Sequence, residues 1–328
     1  MLSTVIVALY NGERFIKEQL DSIKNQTIEA DEVIIADDGS KDQSIEIVKR
    51  YIQDNNLSKW RLVVNEVNKG WAKNFISNAS VAKGKYIFFS DQDDMWAQNK
   101  IEVMIDTMEK NKNINLLCGD NDFICYDGYD QSFDAKDFSR MKNDGSLEKV
   151  VRERCNIHLK RPGCAMCIRK EFFDSILPYW VEKWGHDDFC WKYAVLSDSC
   201  YYIHRFLITR RRHSSNTARN EGKRIHRNIQ GRINQLEDMR DQYKSLERYI
   251  EEHKINREIE EYINHNLEAI NLRIRFITTK NPLIWLRLFA FFGDTYPRKK
   301  GLYLDFGLVY LGEKICQTKD RVKSEIFV

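Results

Sequence analysis

Short apolar runs alternate with amphipathic stretches along the first hundred residues. The runs occupy residues 4–9, 32–36, 61–64 and 86–89, and each predicts a strand. After each run, apolar side chains recur at helical spacing, as Ile16, Leu20 and Ile23 do after the first. Repeated strand–helix units are typical of a mainly parallel sheet with helices on both faces. We therefore predict an α/β fold for this part of the chain.

The pattern becomes mixed from residue 115 to about residue 217. It predicts a strand at residues 116–118, a polar loop at 120–145, a strand at 161–168, a helix at 184–196 and strands at 201–203 and 206–208. Asp187 lies near the start of the predicted helix. An aspartate there serves either as a helix cap or as a chemical group, and the sequence leaves both interpretations open.

Two long helices with a narrow apolar seam are predicted after residue 221. Four apolar residues of the first helix fall seven positions apart: Ile229, Leu236, Tyr243 and Ile250. This spacing is typical of a helix that pairs with another helix. Asn256 is a suitable N-cap for the second helix. The pair forms either a hairpin docked on the preceding domain or a homodimer contact through residues 225–277.

Aromatic, apolar and basic residues are concentrated in residues 283–312. The apolar run at 283–292 is interrupted by Arg287 and is too short to span a bilayer. Together with the basic residues 298–300, it suits the surface of an anionic membrane. Packing against the helical hairpin explains the same residues, so peripheral membrane contact is one of two interpretations.

Polar side chains follow every predicted strand of the first hundred residues. They are Asn11 after the first, Asp37 and Asp38 after the second, Asn68 and Lys69 after the third, and Asp91, Asp93 and Asp94 after the fourth. Ligands of such sheets bind beyond the carboxyl ends of the strands. Carboxylates beside a lysine suit a divalent cation with a diphosphate, because hard cations bind oxygen ligands and substrate phosphates. Both glycine-rich phosphate-loop motifs are absent, so metal and basic side chains must hold the phosphates.

Composition narrows the class of protein. Apolar residues make up 42% and charged residues 31% of the 328 positions, as in a folded soluble protein. The net charge of +3 is too small to indicate a nucleic-acid partner. The eight cysteines have no framework or zinc-site spacing, so we expect reduced thiols in a cytoplasmic protein. Residues 3–9 lack the basic and long apolar regions of a signal peptide.

Several motifs occur together in the order of a known family. They are residues 7–13 (VALYNGE), 37–42 (DDGSKD), 68–70 (NKG) with Asn74, and 91–93 (DQD). Through residues 1–217 the chain resembles the family 2 glycosyltransferases, inverting enzymes of the Rossmann-like GT-A fold that use a nucleotide-diphosphate sugar and a divalent cation. Residues 90–96, 163–166, 186–187 and 211–216 are similar to the rhamnosyltransferase-type branch. Many family members have Glu-Asp where this chain has His186-Asp187.

The resemblance implies a domain organisation and a site. A GT-A catalytic domain is expected at residues 1–217, with a nucleotide-sugar half at about 1–110 and an acceptor half at about 111–217, before a helical region at 218–328. Donor contacts are expected from Ala8, Tyr10, Asn11, Asp38, Lys69, Asp91 and Arg211, with Asp38 binding the pyrimidine base. A Mn²⁺ or Mg²⁺ ion is expected on Asp93, Asp91 and His213. Asp187 is the expected general base, and Trp96, Cys164, Trp184 and His186 are the expected acceptor contacts.

Several alternatives stay open at this point. Asp188 is a second candidate base, Asp94 has no assigned role, and Trp96 and Trp184 are equally suited to the core. The resemblance favours dTDP-rhamnose as donor, with a UDP-hexose as the alternative. The implied acceptor is a cell-surface polysaccharide or lipid-linked glycan, which places the enzyme at the inner face of the membrane. A nucleotidyltransferase and a non-catalytic carbohydrate-binding scaffold are the competing classes.

Overall fold

The computed structural model describes residues 2–126, 141–154, 157–213, 228–295 and 300–312. The chain divides into two compact units, Met1–Ser214 and Ser215–Val328. The boundary that the sequence predicts, at residue 217, falls in segment 214–227, outside the described residues. So do residues 214–216 of the rhamnosyltransferase-like motif and the basic residues 298–299.

The first unit alternates strands and helices as its apolar periodicity predicts. Its strands are β1 (Ser3–Leu9), β2 (Glu32–Asp37), β3 (Trp60–Val64), β4 (Tyr86–Ser90), β5 (Met95–Trp96), β6 (Leu116–Cys125), β7 (Leu147–Lys149), β8 (Met166–Arg169) and β9 (Cys200–Arg212). Its helices are α1 (Ile16–Lys24), α2 (Ser44–Asp54), α3 (Trp71–Ser80), α4 (Lys100–Lys110), α5 (Lys170–Ile176) and α6 (His186–Leu196). Short 3₁₀ turns lie at Gly163–Ala165 and Leu177–Tyr179.

The strands in the described ranges form one nine-stranded sheet, in the order β3-β2-β1-β4-β8-β6-β9-β5, with β7 also paired to β9. The pairs among the first four strands are parallel, as predicted. Strand β8 is antiparallel to both β4 and β6, whereas β6 and β9 are parallel. The fold class is confirmed: a mixed sheet with helices on both faces, followed by a helical region.

The polar segment after residue 120 differs from its prediction. Strand β6 continues through Cys125 because it pairs with β9 up to Arg212. The buried Asp120 is compensated there by Arg161 at 2.8 Å and by His204 at 3.0 Å. Hydropathy does not register such pairing, so the sequence predicted a loop where the first part is strand. Residues 127–140 of that predicted loop lie outside the described residues.

The core of the first unit lies around its central parallel strands. Every residue of β2 and β4 is buried, as expected for parallel strands covered on both faces. The apolar faces of α1 and α4 complete the core, through residues such as Leu20 and Met104. The six cysteines in the described ranges are not joined in disulfides. A rigid, buried sheet of this kind holds the polar strand ends at one edge.

The second unit is helical. Its helices are α7 (Ile229–His253), α8 (Arg257–Thr279), α9 (Pro282–Phe291) and α10 (Lys300–Tyr310), with a 3₁₀ turn at Gly293–Thr295. Helices α7 and α8 pack against each other, and the seam residues Leu236, Tyr243 and Ile250 are buried. Asn256 caps α8, since its side chain accepts a hydrogen bond from the Ile259 N–H at 3.0 Å. The two predicted helices and this cap are therefore confirmed.

A buried ion cluster connects three helices of the second unit. The Asp305 carboxylate on α10 is fully buried and accepts hydrogen bonds from Arg232 Nε of α7 at 2.8 Å and Arg273 Nε of α8 at 2.9 Å. Charged groups buried in this way are tolerated because each has a partner of opposite charge. The cluster therefore depends on Asp305, which is the carboxylate common to both contacts.

Helix α9 presents apolar side chains to the surface of the second unit. Leu283, Leu286, Phe289 and Phe291 are exposed, and Leu288 is buried. Among the described residues, no helix combines the length and the apolar character that crossing a bilayer requires.

Candidate active site

Asp38 lies at the centre of a buried polar network beyond the end of β2. Its Oδ1 accepts hydrogen bonds from Asn65 Nδ2 at 3.0 Å and from the Lys69 backbone N–H at 2.8 Å. Asn68 Nδ2 donates to the Asp38 carbonyl at 2.9 Å, and the Lys69 ammonium donates to Asn65 Oδ1 at 2.7 Å. The network holds the loop after β3 against the loop after β2. Asn65 is a member that the sequence motifs did not indicate.

The loop after β1 is fixed to the acidic segment by Gln92. Gln92 Oε1 accepts from the Tyr10 N–H at 2.7 Å, and its Nε2 donates to the Tyr10 carbonyl at 3.0 Å. A methyl group added at Gly12 would lie 2.6 Å from Gln92 Oε1, so a larger residue there would displace the Gln92 side chain. The middle residue of the Asp-Gln-Asp motif thus joins two strand ends. Tyr10 and Asn11 are exposed beside it, and Ala8 is half-buried at the end of β1.

Three carboxylates gather at the end of β4, as the sequence predicts. Burial, with repulsion from Asp94 and Asp93, raises the pKa of Asp91 to about 7. Burial also raises the pKa of Asp94. His213 Nε2 lies 2.9 Å from Asp93 Oδ2, so the structure brings together these two predicted metal ligands. Such crowding of carboxylates is relieved by a bound cation.

Asp94, for which the sequence gave no role, links three elements. Its Oδ1 accepts from the Arg211 backbone N–H at 3.2 Å, and its carboxylate also pairs with the Cys164 thiol. Beneath them, the buried Lys100 ammonium donates to the Cys164 carbonyl at 2.6 Å. Burial lowers the pKa of Lys100 to about 7, although Cys164 and Asp94 oppose that change. Asp94 therefore positions β9 and the Gly163–Ala165 turn around the acidic cluster.

The two neighbouring arginines of β9 point in different directions. The Arg211 guanidinium is buried, pairs with Glu18 and lies 4.9 Å from the Phe15 ring centroid. In contrast, the positive charge of Arg210 opposes the raised pKa values of both Asp91 and Asp94. The predicted phosphate contact at Arg211 is therefore not supported, because the sequence motif does not specify which arginine faces the cluster. The charge of Arg210, rather than that of Arg211, acts on these two carboxylates.

Asp187 and Asp188 occupy different environments at the start of α6. Asp188 Oδ2 accepts from Trp184 Nε1 at 2.8 Å and also pairs with Lys192. Asp187 is half-buried, and its Oδ1 accepts from the Asp188 N–H at 2.8 Å. Burial raises the pKa of Asp187 to about 6, and its charge contributes to the raised pKa of Asp91. The helix N-cap is Gly185, and Asp187 lies in the first turn of α6, where its carboxylate accepts a backbone N–H.

His186 lies in an aromatic pocket. Its ring is 4.0 Å from the Phe75 centroid and 4.5 Å from the Phe89 centroid. Burial lowers its pKa to about 3, and neither ring nitrogen has a hydrogen-bond partner among the described residues. A methyl group on Gly163 would lie 2.1 Å from His186 Nε2, so only glycine fits there. The predicted acceptor contact at His186 is therefore not supported, because its neutral ring is enclosed by side chains.

The other three predicted acceptor contacts are also buried. Trp96 is 5% exposed and packs against Phe88 and the Lys100 ammonium. Trp184 is 1% exposed and binds Asp188 through its indole N–H, and Cys164 is 1% exposed. These predictions are corrected because the side chains belong to the core, the alternative that the sequence left open for the tryptophans. An exposed tryptophan that the sequence did not indicate, Trp71, lies instead beside Gly185.

The fold and the candidate site define an α/β protein with a group of carboxylates at the carboxyl edge of its sheet. The model of the family described as Glycosyl transferase family 2 matches residues 4–176, which is more than half of the 328 residues. The chain therefore belongs to this family and is a glycosyltransferase.

Individual proteins agree with this assignment. An uncharacterized glycosyltransferase of Rickettsia prowazekii is 28% identical over 250 residues, which are 73% of this chain and 70% of that protein. The dTDP-rhamnosyl transferase RfbG of Shigella flexneri is 31% identical over 216 residues, 61% of this chain and 68% of that protein. The crystal structure of S. aureus TarS 1–349 in complex with UDP-GlcNAc has a TM-score of 0.57 at 18% identity, covering 84% of this chain and 73% of that one. At 18% identity, the likeness to TarS shows similarity of the fold alone.

Proposed function

We propose that the chain transfers a sugar from a nucleotide-diphosphate donor to a glycan hydroxyl, with inversion at the anomeric carbon. The observation that carries this proposal is that Asp187 lies near enough to the carboxylate cluster for its charge to contribute to the raised pKa of Asp91. Asp187 is half-buried with a raised pKa, whereas Asp188 is bound by Trp184 and Lys192. A general base needs a pKa near the working pH, and Asp187 meets that requirement.

The donor occupies the edge between Asp38 and the acidic cluster. The polar network at Asp38 suits a pyrimidine base, and Ala8, Tyr10 and Asn11 line the approach to it. The likeness to RfbG supports L-rhamnose from a dTDP donor. The TarS complex with UDP-GlcNAc supports a UDP-hexose as the second candidate. Lys69, in the Asp38 network, contacts the nucleotide part of the donor. Arg210 makes the diphosphate contact that the sequence assigned to Arg211.

A divalent cation, Mn²⁺ or Mg²⁺, fits the residues at the end of β4. Asp91, Asp94 and Cys164 offer ligand atoms within 4.8 Å of one another. Burial raises the pKa of the Cys164 thiol, so this thiol is a poor ligand for a hard cation, whereas Asp94 Oδ2 has no hydrogen-bond partner among the described residues. We assign the cation to Asp91, Asp93 and His213, because Asp93 Oδ2 and His213 Nε2 lie 2.9 Å apart beside Asp91 in the sequence motif. When bound, the cation would stabilise negative charge on the diphosphate as a Lewis acid.

The chain's own residues supply the remaining chemistry. Asp187 accepts the proton of the acceptor hydroxyl as that oxygen attacks the anomeric carbon. The bond between that carbon and the diphosphate oxygen breaks, and the electron pair leaves with the nucleotide diphosphate. Arg210 then lies where negative charge accumulates, and a guanidinium favours such charge.

The acceptor is a cell-surface polysaccharide or a lipid-linked glycan precursor. A lipid-linked acceptor places the enzyme in the cytoplasm at the inner face of the membrane.

The exposed apolar residues of α9, together with the basic residues in 283–312, support contact with an anionic bilayer. Vesicles containing phosphatidylglycerol should co-sediment the protein, and Leu286→Ser with Phe289→Ser should reduce that binding. If the double variant, Leu286→Ser with Phe289→Ser, binds as the wild type does, the membrane contact lies elsewhere. We also propose a homodimer through residues 225–277. Sedimentation velocity distinguishes the dimer from the monomer.

A thermal-shift screen tests the proposed function. The donors are dTDP-rhamnose, UDP-glucose and UDP-N-acetylglucosamine, each with Mn²⁺, Mg²⁺ or excess EDTA. Binding to the native state raises the melting temperature, so one nucleotide sugar should do so with metal and lose the effect in EDTA. A shift that is equal in metal and in EDTA would contradict the cation's role. Absence of any shift with every sugar nucleotide would contradict the donor class.

A further inference from the structure

Trp71 has an unusual position for a large aromatic residue. It is the first residue of α3, and 40% of its surface is exposed. All seven tryptophans lie in the described ranges, and Trp71 is the most exposed of them. Removing an indole ring from water is favourable, so an aromatic ring left exposed at the edge of a site is available to a ligand.

The exposed ring lies next to the proposed base. A methyl group built on Gly185 would lie 2.6 Å from Trp71 Cη2 and 2.9 Å from Asp187 Oδ1. The far end of the indole and the carboxylate oxygen are thus neighbours across a single glycine. Gly185 has no room even for a methyl group, so the ring edge and the carboxylate lie close together around it. A ligand lying on the exposed part of the ring would therefore have its atoms within reach of Asp187.

Trp71 is also held in place from several directions. Gly70, the N-cap of α3, has a φ of 78°, and its N–H donates to Asn68 Oδ1 at 3.0 Å. Asn68 in turn donates to the Asp38 carbonyl at 2.9 Å, which fixes the loop to the donor pocket. On the other side, the edge of the ring meets His186, with centroids 6.0 Å apart. A ring fixed by its neighbours loses little freedom when a ligand binds to it.

We propose that Trp71 forms the binding site for the acceptor's sugar ring, with the apolar C–H face of a pyranose packed on the indole and its reactive hydroxyl directed to Asp187. This inference rests on the proposed glycosyl transfer and specifies where the second substrate binds. It gives Trp71 the role that the sequence assigned to Trp96 and Trp184. The ligand class is a hexopyranoside, since a flat apolar ring face combined with outward hydroxyls matches one aromatic surface beside one carboxylate.

Saturation-transfer NMR with methyl hexosides tests the inference. The probes are the methyl glycosides of glucose, galactose, N-acetylglucosamine and rhamnose, each added to full-length protein with UDP and Mg²⁺. For at least one probe, we expect signals on the C–H protons of one ring face. Trp71→Ala should weaken that binding roughly three- to tenfold, the size of one aromatic contact. Trp71→Phe should retain most of it.

Trp60→Ala is the matched control, because Trp60 begins β3 at the opposite edge of the sheet and packs on Tyr51. It should leave hexoside binding unchanged, and melting temperatures verify that each variant is folded. The inference is overturned if no hexoside binds the wild type, or if Trp71→Ala binds as the wild type does. Release of nucleotide diphosphate from dTDP-rhamnose and from UDP-glucose is measured separately with the same protein preparations. Its absence from the wild type would refute the proposed function, whereas normal release with unaltered hexoside binding in Trp71→Ala would refute this inference alone.

Discussion

At the scale of single residues, environment separates side chains that the sequence presents as equivalent. Asp187 and Asp188 are adjacent and chemically identical, yet Asp188 is committed to Trp184 and Lys192. Among the described residues Asp187 forms no salt bridge, and burial raises its pKa to about 6, although backbone N–H groups and the charge of Lys192 oppose that change. A carboxylate whose pKa is strongly raised by burial is a candidate functional group.

The raised pKa of Asp187 predicts a pH dependence. A general base must be deprotonated, so transfer should rise with pH through about 6 and level off above it. Because the folded-state pKa lies above the ordinary value of 3.8, folding stability should fall between those two pH values as Asp187 ionises. The measurement is kcat/KM between pH 5 and pH 8. A rate that is flat across this window would contradict the role of Asp187.

The arginine pair on β9 gives a second prediction. Replacing Arg210 by Gln should raise the donor KM roughly tenfold, because one charge-assisted contact to the diphosphate is lost. Replacing the buried Arg211 by Gln should instead lower the melting temperature, because its guanidinium packs on Phe15 and pairs with Glu18. Donor kinetics and thermal melts of both variants provide the comparison. If Arg211→Gln raises KM while Arg210→Gln does not, the two arginines are assigned the wrong way round.

The motifs gave several site residues but not the orientation of their side chains. Asp38, Asp93 and His213 were predicted from motifs, and the structure places each at the carboxyl edge of the sheet. The choice between Arg210 and Arg211 depends on the register of β9, because a shift of one residue reverses the face of every side chain. Trp96 and Trp71 likewise differ in burial, a property set by tertiary packing. No local pattern distinguishes them.

At the scale of elements, α6 and the 3₁₀ turn at Gly163–Ala165 are fitted to one another. The His186 ring lies between Phe75 and Phe89, and Gly163 packs directly against its edge. Asp187 follows His186, so the position of the proposed base depends on this packing. Gly163→Ala should therefore destabilise the protein by about 1–3 kcal/mol, the usual cost of overpacking a core.

Gly293→Ala is the control for that prediction, because an added methyl group at Gly293 meets no atom within 4 Å. It should change the free energy of unfolding by no more than about 1 kcal/mol. Chemical denaturation of both variants makes the comparison. Equal stability of Gly163→Ala and the wild type would mean that His186 moves without cost, and that the packing does not position Asp187.

At the scale of the whole chain, the periodicity of apolar residues predicted much of the architecture. The first four parallel strands and the two long helices follow from it directly. The antiparallel β8 and the continuation of β6 do not, because they depend on pairings between segments distant in sequence. The separation of the catalytic and helical parts was visible as a change in pattern near residue 221. The ion cluster around Asp305 could not be predicted from the pattern, since its three members lie on three different helices.

The ion cluster of the second unit carries its own prediction. Asp305→Asn should destabilise that unit by about 3–5 kcal/mol, because it leaves Arg232 and Arg273 buried without their shared carboxylate. Asp294→Asn is the control, since the Asp294 side chain is exposed where it contacts His265. Asp294→Asn should lower the free energy of unfolding by about 1 kcal/mol or less. Urea unfolding of both variants measures the difference, and equal stabilities would contradict the buried-cluster account.

Release of nucleotide diphosphate from the sugar nucleotide, with water as the acceptor, tests the central claim most directly. Asp187→Asn and Asp188→Asn form the matched pair, and donor affinity is measured alongside. We expect Asp187→Asn to slow release by roughly 10²–10⁴-fold with donor affinity nearly unchanged, the loss typical of a missing general base. Asp188→Asn should retain most of the rate. If Asp187→Asn retains most of the turnover and Asp188→Asn does not, the proposed base and the mechanism built on it are wrong.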